Sequence, residues 1–126
     1  QEVKRITGGV GVQVGYDAVG IDTFDKSIAC LVRRGCMVLY GQASGLVPPI
    51  LVSILNPRSL FLTRPSLNDY TATREELLQR AGDVLEWVKS GKLKLHIHNK
   101  FALKDAPEAH RQLQGRLTTG KLLLIP

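Results

Sequence analysis

Three short segments hold the residues whose types and spacing could do chemistry: Ala18-Val19-Gly20, Tyr40-Gly41-Gln42-Ala43-Ser44 and Thr63-Arg64-Pro65. Each follows an apolar stretch that reads as a strand. Glycine at such an end lets backbone approach a flat ligand closely. Backbone N–H and C=O groups there can read a carboxamide edge, which is what a nicotinamide presents. A guanidinium is a bidentate donor, so Arg64 and, much later, Arg116 are candidates for phosphate or carboxylate contacts. Glycine after a strand is also a common turn residue. Spacing alone therefore leaves two readings open, a nucleotide-binding edge and a set of plain turns.

Other polar groups read more simply. Thr7-Gly8-Gly9-Val10-Gly11 looks like a phosphate-cradling loop, but that loop needs a strand before it and a helix after it. Here a strand follows, and a glycine is missing at position 14, where Val14 stands. It reads as a turn into a strand. His96 and His98 share one face of a predicted strand, with no nearby Cys, Asp or Glu to complete a tetrahedral metal set. His110 reads as structural. Ser44 has no partner that would make it a nucleophile. Asp17, just before the first Gly turn, reads as a carboxylate bonding local backbone N–H groups.

The elements that must position these groups follow from periodicity. Val10, Val12, Val14 and Tyr16 alternate with Gly11, Gln13 and Gly15, the period of a strand, over Val12 to Gly20. Asp22 to Gly35 reads as a helix. Thr23 or Asp22 caps it by accepting an orphan N–H, Phe24, Ile28, Leu31 and Val32 form its stripe, Arg33 and Arg34 close it, and Gly35 is its left-handed cap. Cys36 to Gly41 is a continuous apolar run, as suits a parallel strand covered on both faces. Together these make a βαβ unit. A Pro-punctuated loop with a helical turn near Val52 to Leu55 leads to a third strand, Ser59 to Thr63. Thr73-Arg74-Glu75-Glu76 is a capping box opening a helix that carries Leu77, Ala81, Val84, Leu85 and Val88 on one face and ends at Gly91. A strand over Lys92 to Ile97, a short helix over Asp105 to Leu113 and a closing strand over Gly120 to Pro126 complete the pattern. In open α/β sheets, ligands bind beyond the carboxyl ends of the strands, so all three Gly-containing or Arg-containing tips belong to one edge.

Composition fits this class. The chain has 126 residues, 44% hydrophobic and 22% charged, ordinary values for a globular protein. No apolar run reaches the roughly 18 residues of a membrane span. The opening QEVKRITGG has neither a signal-peptide core nor an initiator Met, so the chain is expected to be a piece of a longer one or a processed product. Cys30 and Cys36 are too few for a disulfide framework and read as reduced, buried thiols in a cytoplasmic protein. The net charge of +6 is scattered, and no aromatics interleave with it as a base-stacking platform would require. Neither nucleic acid nor membrane is an expected partner.

The segments YDAVGIDTFDKS, RRGCMVLYGQASG, SLFLTRPSL, TREELLQRAGDVLEWVKSGKLK and FALKDAPEAHRQLQGRLTTGKLLLIP closely resemble the carboxyl-terminal part of NADPH:quinone oxidoreductases. These form the zinc-independent, zeta-crystallin-like branch of the medium-chain dehydrogenase/reductase superfamily. The resemblance runs through nearly the whole chain, in order. It implies an α/β fold in which residues 1–100 are the second half of a doubly wound Rossmann sheet, three parallel strands with flanking helices. Residues 101–126 would return to a GroES-like catalytic domain. It implies hydride transfer from NADPH to a small-molecule quinone, with no catalytic residue in this chain and no metal. Carried over by position, the cofactor contacts fall at Gly20, Tyr40, Gly41, Gln42, Ala43, Thr63, Arg64, Pro65 and, in the GRLTTGK segment, Arg116. The family often has Ser at the position of Ala18 and Phe at that of Tyr40. It also implies a homodimer through the strand Leu60 to Thr63.

Two further readings stand beside this one. The chain could belong to another reductase of the superfamily, acting on enoyl thioesters or other activated alkenes. It could also be a non-catalytic association module that recruits partners through exposed strand edges.

Overall fold

The structure, a computed structural model, describes residues 1–126. It falls into two compact units, Gln1–Ala72 and Thr73–Pro126. A short helix the sequence did not signal, α1 (Glu2–Ile6), opens the first unit. The turn after it runs into β1 (Val12–Asp17). Thr7 closes that turn: its hydroxyl donates to the Val3 carbonyl at 2.7 Å and accepts the Gly11 amide at 3.0 Å. The Thr7–Gly11 segment is thus a turn into a strand. Next come α2 (Phe24–Ala29) and β2 (Leu31–Leu39). A 3₁₀ segment over Val52–Arg58 leads to β3 (Phe61–Thr63), and α3 (Leu67–Tyr70) follows.

The three strands form one sheet in the order β1-β2-β3. Both pairings are parallel, with Asp17 opposite Leu39 and Val38 opposite Thr63. The core on this sheet is Phe24, Ile28, Leu31, Met37, Leu39 and Leu60, joined by Val12, Val47, Ile50, Ile54, Leu55 and Leu62. Met37 is fully buried, as a central strand covered on both faces requires.

The boundary between α2 and β2 differs from expectation. The helix ends at Ala29 instead of reaching Gly35, and Arg33 and Arg34 lie in the strand. Arg34, not Gly35, takes the left-handed conformation, with φ 61°. It sits in a bulge between the pairs Val12–Leu31 and Val14–Cys36. The cause is long-range. Arg58 donates to the carbonyls of Ile28, at 2.9 Å, Ala29, at 3.3 Å, and Leu31. These are the acceptors a continuing helix would have used, and the Val12 amide takes the Cys30 carbonyl at 2.9 Å. Removing this guanidinium is expected to be costly, because hydrogen bonds to a charged donor contribute more than neutral ones. Arg58→Ala should lower unfolding stability by about 2 kcal/mol. Denaturant melts that match wild type within error would show that α2 ends for another reason. Cys30 and Cys36 are free thiols, but both are half-buried, not buried. Cys30 ends α2 at the surface beside Lys4.

The second unit opens with α4 (Arg74–Lys89), whose capping box is intact. Thr73 Oγ1 accepts the Glu76 amide at 3.2 Å, and the Glu76 carboxylate accepts the Thr73 amide at 3.0 Å. The expected strand at Lys92 to Ile97 lies further on, as β4 (Ile97–Ala102). Gly91, at φ 75°, turns the chain back, and the Leu93 amide reaches the Trp87 carbonyl at 2.9 Å. The residues just after Gly91 therefore wrap the helix end and cannot join a ladder. After a 3₁₀ turn at Leu103–Asp105 come α5 (Ala106–Gln114) and β5 (Lys121–Ile125). β4 and β5 pair in parallel, with Phe101 opposite Leu124. Ala109 of α5 is buried in this unit. No helix is long and apolar enough to cross a membrane.

Candidate functional site

The parallel register brings the carboxyl ends of β1, β2 and β3 level. The chain then crosses itself between the first two tips. The Tyr40 and Gly41 amides both donate to the Asp17 carbonyl, at 3.0 and 3.2 Å. The Ala43 amide takes the Ala18 carbonyl at 3.1 Å, and the Ser44 amide and hydroxyl take that of Val19 at 2.7 and 2.8 Å. Gly20 and Gly45 form a parallel bridge beyond them. Residues 18–20 and 40–45 thus run as an irregular continuation of the β1–β2 ladder.

This crossing explains the glycines. A Cβ on Gly41 would stand 2.6 Å from the Ala18 carbonyl oxygen, and one on Gly20, at φ 96°, would stand 2.4 Å from that of Gly45. The close approach they permit is between two stretches of this chain's own backbone. The amides of Tyr40, Gly41 and Ala43 are committed within it. What those residues can offer a ligand is carbonyl oxygen, whose second lone pair remains available.

The third tip is tied in by Arg64. Its Nη1 donates to the Leu39 carbonyl at 3.3 Å and its Nη2 to the Gln42 Oε1 at 2.8 Å. It therefore braces the β2 tip with part of its donor set. The first unit brings Gly20, Tyr40, Gly41, Gln42, Ala43, Thr63, Arg64 and Pro65 to the same sheet edge. Arg116 belongs to the second unit, where it follows α5 with φ 54°.

Next to this edge lies a recess of about 270 Å³ lined by Tyr40, Pro65, Ser66, Leu67 and Tyr70. Tyr16 meets the Tyr40 ring edge-to-face, with centroids 6.5 Å apart, a favoured aromatic geometry. Sequence reasoning stopped at Pro65 and missed the last three lining residues. The signal was there: Ser66 precedes a short helix as an N-cap residue, and Leu67 and Tyr70 stand one turn apart.

Asp17 is the buried polar residue of this edge, 4% exposed. Burial pushes its carboxyl up. The hydrogen bonds from Ser27, the Gly20 amide, Thr23 and the Val19 amide outweigh that effect and hold it below the ordinary aspartate range. The reading of Asp17 as a binder of local N–H groups holds. Thr23 differs from expectation: it occupies the N-cap position without making the cap bond, because its hydroxyl is turned to Asp17. His98 lies in β4 and His96 just before it. No three His, Cys, Asp or Glu residues are placed to hold a metal ion.

The chain matches the family model described as zinc-binding dehydrogenase over residues 1–124. It is 47% identical, over its whole length, to a quinone oxidoreductase of Salmonella typhimurium, and spans 39% of that protein. It is 43% identical, over 98% of its length, to the 2-haloacrylate reductase of a Burkholderia species, and spans 38% of it. Its fold matches the crystal structure of the Escherichia coli quinone oxidoreductase complexed with NADPH with a TM-score of 0.88. That match is 46% identical and covers 99% of this chain and 39% of the other.

Proposed function

The chain belongs to the zinc-binding dehydrogenase family, and from that premise we propose that it is the carboxyl-terminal part of an NADPH-dependent quinone oxidoreductase. The observation that carries this reading is the edge where three parallel strand tips end level, in the place where open α/β sheets bind their ligands. NADPH, when bound, supplies the hydride. This chain's residues bind and orient it. Tyr40, Gly41, Gln42 and Ala43 offer a carbonyl-rich surface to a carboxamide N–H, and Gly20, whose own carbonyl accepts the Thr23 and Phe24 amides, gives the close backbone approach beside them. Thr63, Arg64 and Pro65 extend that surface along β3. Arg116, carried over by the resemblance alone, lies in the second unit. None of these side chains acts as acid or base, in keeping with chemistry that the cofactor carries.

The family's description names zinc, and this chain assembles no ligand set for it. We place the protein in the zinc-independent branch on the strength of its sequence resemblance. We place it in the cytoplasm on the ground of its two free thiols, Cys30 and Cys36. The expected domain boundary at residue 100 would cut through β4 (Ile97–Ala102). The chain divides into compact units at Ala72, and we propose that residues 101–126, which lie in the second unit, serve the return to the catalytic domain. β3 is an edge of its sheet, and Phe61 on it is 63% exposed. This supports a homodimer formed by pairing the two β3 edges.

A second reading has its own support. The 43% identity to a 2-haloacrylate reductase favours an activated alkene as hydride acceptor. The gene product carrying this chain should oxidise NADPH when given 1,4-benzoquinone, and sediment as a dimer. Faster oxidation with 2-chloroacrylate or crotonyl-CoA would replace the first reading by the second. No NADPH oxidation with any of the three would remove both.

A further inference from the structure

At the root of the proposed cofactor edge sits a buried carboxylate for which hydride transfer has no use. Asp17 has no cation partner. Its Oδ1 accepts the Val19 amide at 2.8 Å, the Gly20 amide at 3.1 Å and the Thr23 hydroxyl at 2.9 Å. Its Oδ2 accepts the Ser27 hydroxyl at 2.7 Å and faces the Thr23 hydroxyl at 2.8 Å. Four donors from the turn after β1 and from the start of α2 thus converge on one side chain. The same residue's carbonyl accepts the Tyr40 and Gly41 amides. Through side chain and main chain together, Asp17 fixes the β1 turn, the entry to α2 and the first two residues of the β2 tip.

A buried charge is costly unless it is fully hydrogen-bonded. Here two of the four donors are backbone amides of the turn and two are hydroxyls at the entry to and within α2. Both amides of the Val19–Gly20 turn donate to this carboxylate, while the Val19 carbonyl is held by the Ser44 amide and hydroxyl, and Gly20 bridges to Gly45. A shift in this turn would therefore carry into residues 40–45. We propose that Asp17 is a positioning residue for NADPH, whose carboxylate locks residues 18–20 and 40–45 in the geometry the dinucleotide meets. This rests on the reading of the edge as the cofactor's.

The test uses the gene product carrying this chain, with Asp17→Ala, Asp17→Asn and the double variant Thr23→Val/Ser27→Ala. An asparagine Oδ1 can still accept the two amides, while its NH₂ donates to the two hydroxyls, so it should restore most of the function. Losing several charge-assisted bonds should raise the NADPH KM of Asp17→Ala about tenfold or more. The double variant should raise it about threefold, with kcat and the quinone KM within about twofold of wild type. Asp17→Asn should stay within about threefold of wild type. A folded Asp17→Ala protein with wild-type NADPH KM overturns the proposal. So does a fall in kcat with no change in KM. Should Asp17→Ala not fold, the double variant decides: an unchanged NADPH KM overturns the proposal, and a raised one supports it. If the wild-type protein itself binds no NADPH by fluorescence titration, it is the cofactor reading that fails.

Discussion

Gly20→Ala in the gene product is expected to weaken NADPH binding by about a hundredfold and to lower unfolding stability by about 3 kcal/mol or more. Two effects add. At φ 96° an L side chain is strained whatever surrounds it. The new Cβ would also stand 2.4 Å from the Gly45 oxygen, 3.0 Å from the Gln42 Cα and 3.3 Å from the Gln42 Cβ. The first two neighbours are backbone, so relief requires the 40–45 loop to move as a body. That loop carries four of the proposed cofactor contacts, Tyr40, Gly41, Gln42 and Ala43. Gly82→Ala is the matched control. It lies inside α4 with nothing within 4 Å of the added carbon, and should be neutral or stabilising by about 1 kcal/mol. Equilibrium NADPH titration and thermal melts read both quantities. Undiminished NADPH affinity in a folded Gly20→Ala protein would mean that the strand tips are not the cradle.

The sheet was legible because its signals are local. Alternation in Val12–Tyr16 and the apolar run Cys36–Tyr40 each mark a strand within a few residues. The capping box at Thr73 and Glu76 marks α4 in the same way. The end of α2 was hidden because its cause is distant. Arg58 claims the helix carbonyls from across the fold, and periodicity continued through Leu31 and Val32 as if the helix did too. The position of β4 was hidden for a related reason. Lys92 to Ile97 alternates well, but a strand exists only where a partner pairs with it, and β5 pairs with Ile97–Ala102.

The candidate site divides along the same line. Which residues reach the edge could be read from the sequence, since each follows a strand. What they do there could not. Gly20 and Gly41 suggested room for a ligand, and the structure shows room for other backbone. Arg64 suggested a free guanidinium, and part of it braces Leu39 and Gln42. Asp17 was read as serving its own turn. That its carbonyl also anchors the second tip depends on the pairing of β1 with β2, a tertiary fact.

A polypeptide of residues 1–126 expressed alone is expected to show no NADPH-dependent quinone reduction, and to bind NADPH at least about a hundredfold more weakly than the protein that carries it. In dinucleotide-binding sheets the pyrophosphate sits on a helix N-terminus, reached by a Gly-rich turn directly after a strand. In these residues the one Gly-rich turn, Thr7–Gly11, runs the other way, from α1 into β1. The tips can meet a carboxamide, but nothing beside them grips two phosphates. The second unit adds a separate difficulty. Leu77, Val84, Leu85 and Val88, on one face of α4, are 48%, 45%, 69% and 36% exposed. An apolar face of that kind drives self-association when nothing covers it. The polypeptide should therefore also sediment as concentration-dependent oligomers. Calorimetric titration giving a micromolar NADPH dissociation constant, from a clean monomer, would show that half a crevice is enough, and the division of labour argued above would fall with it.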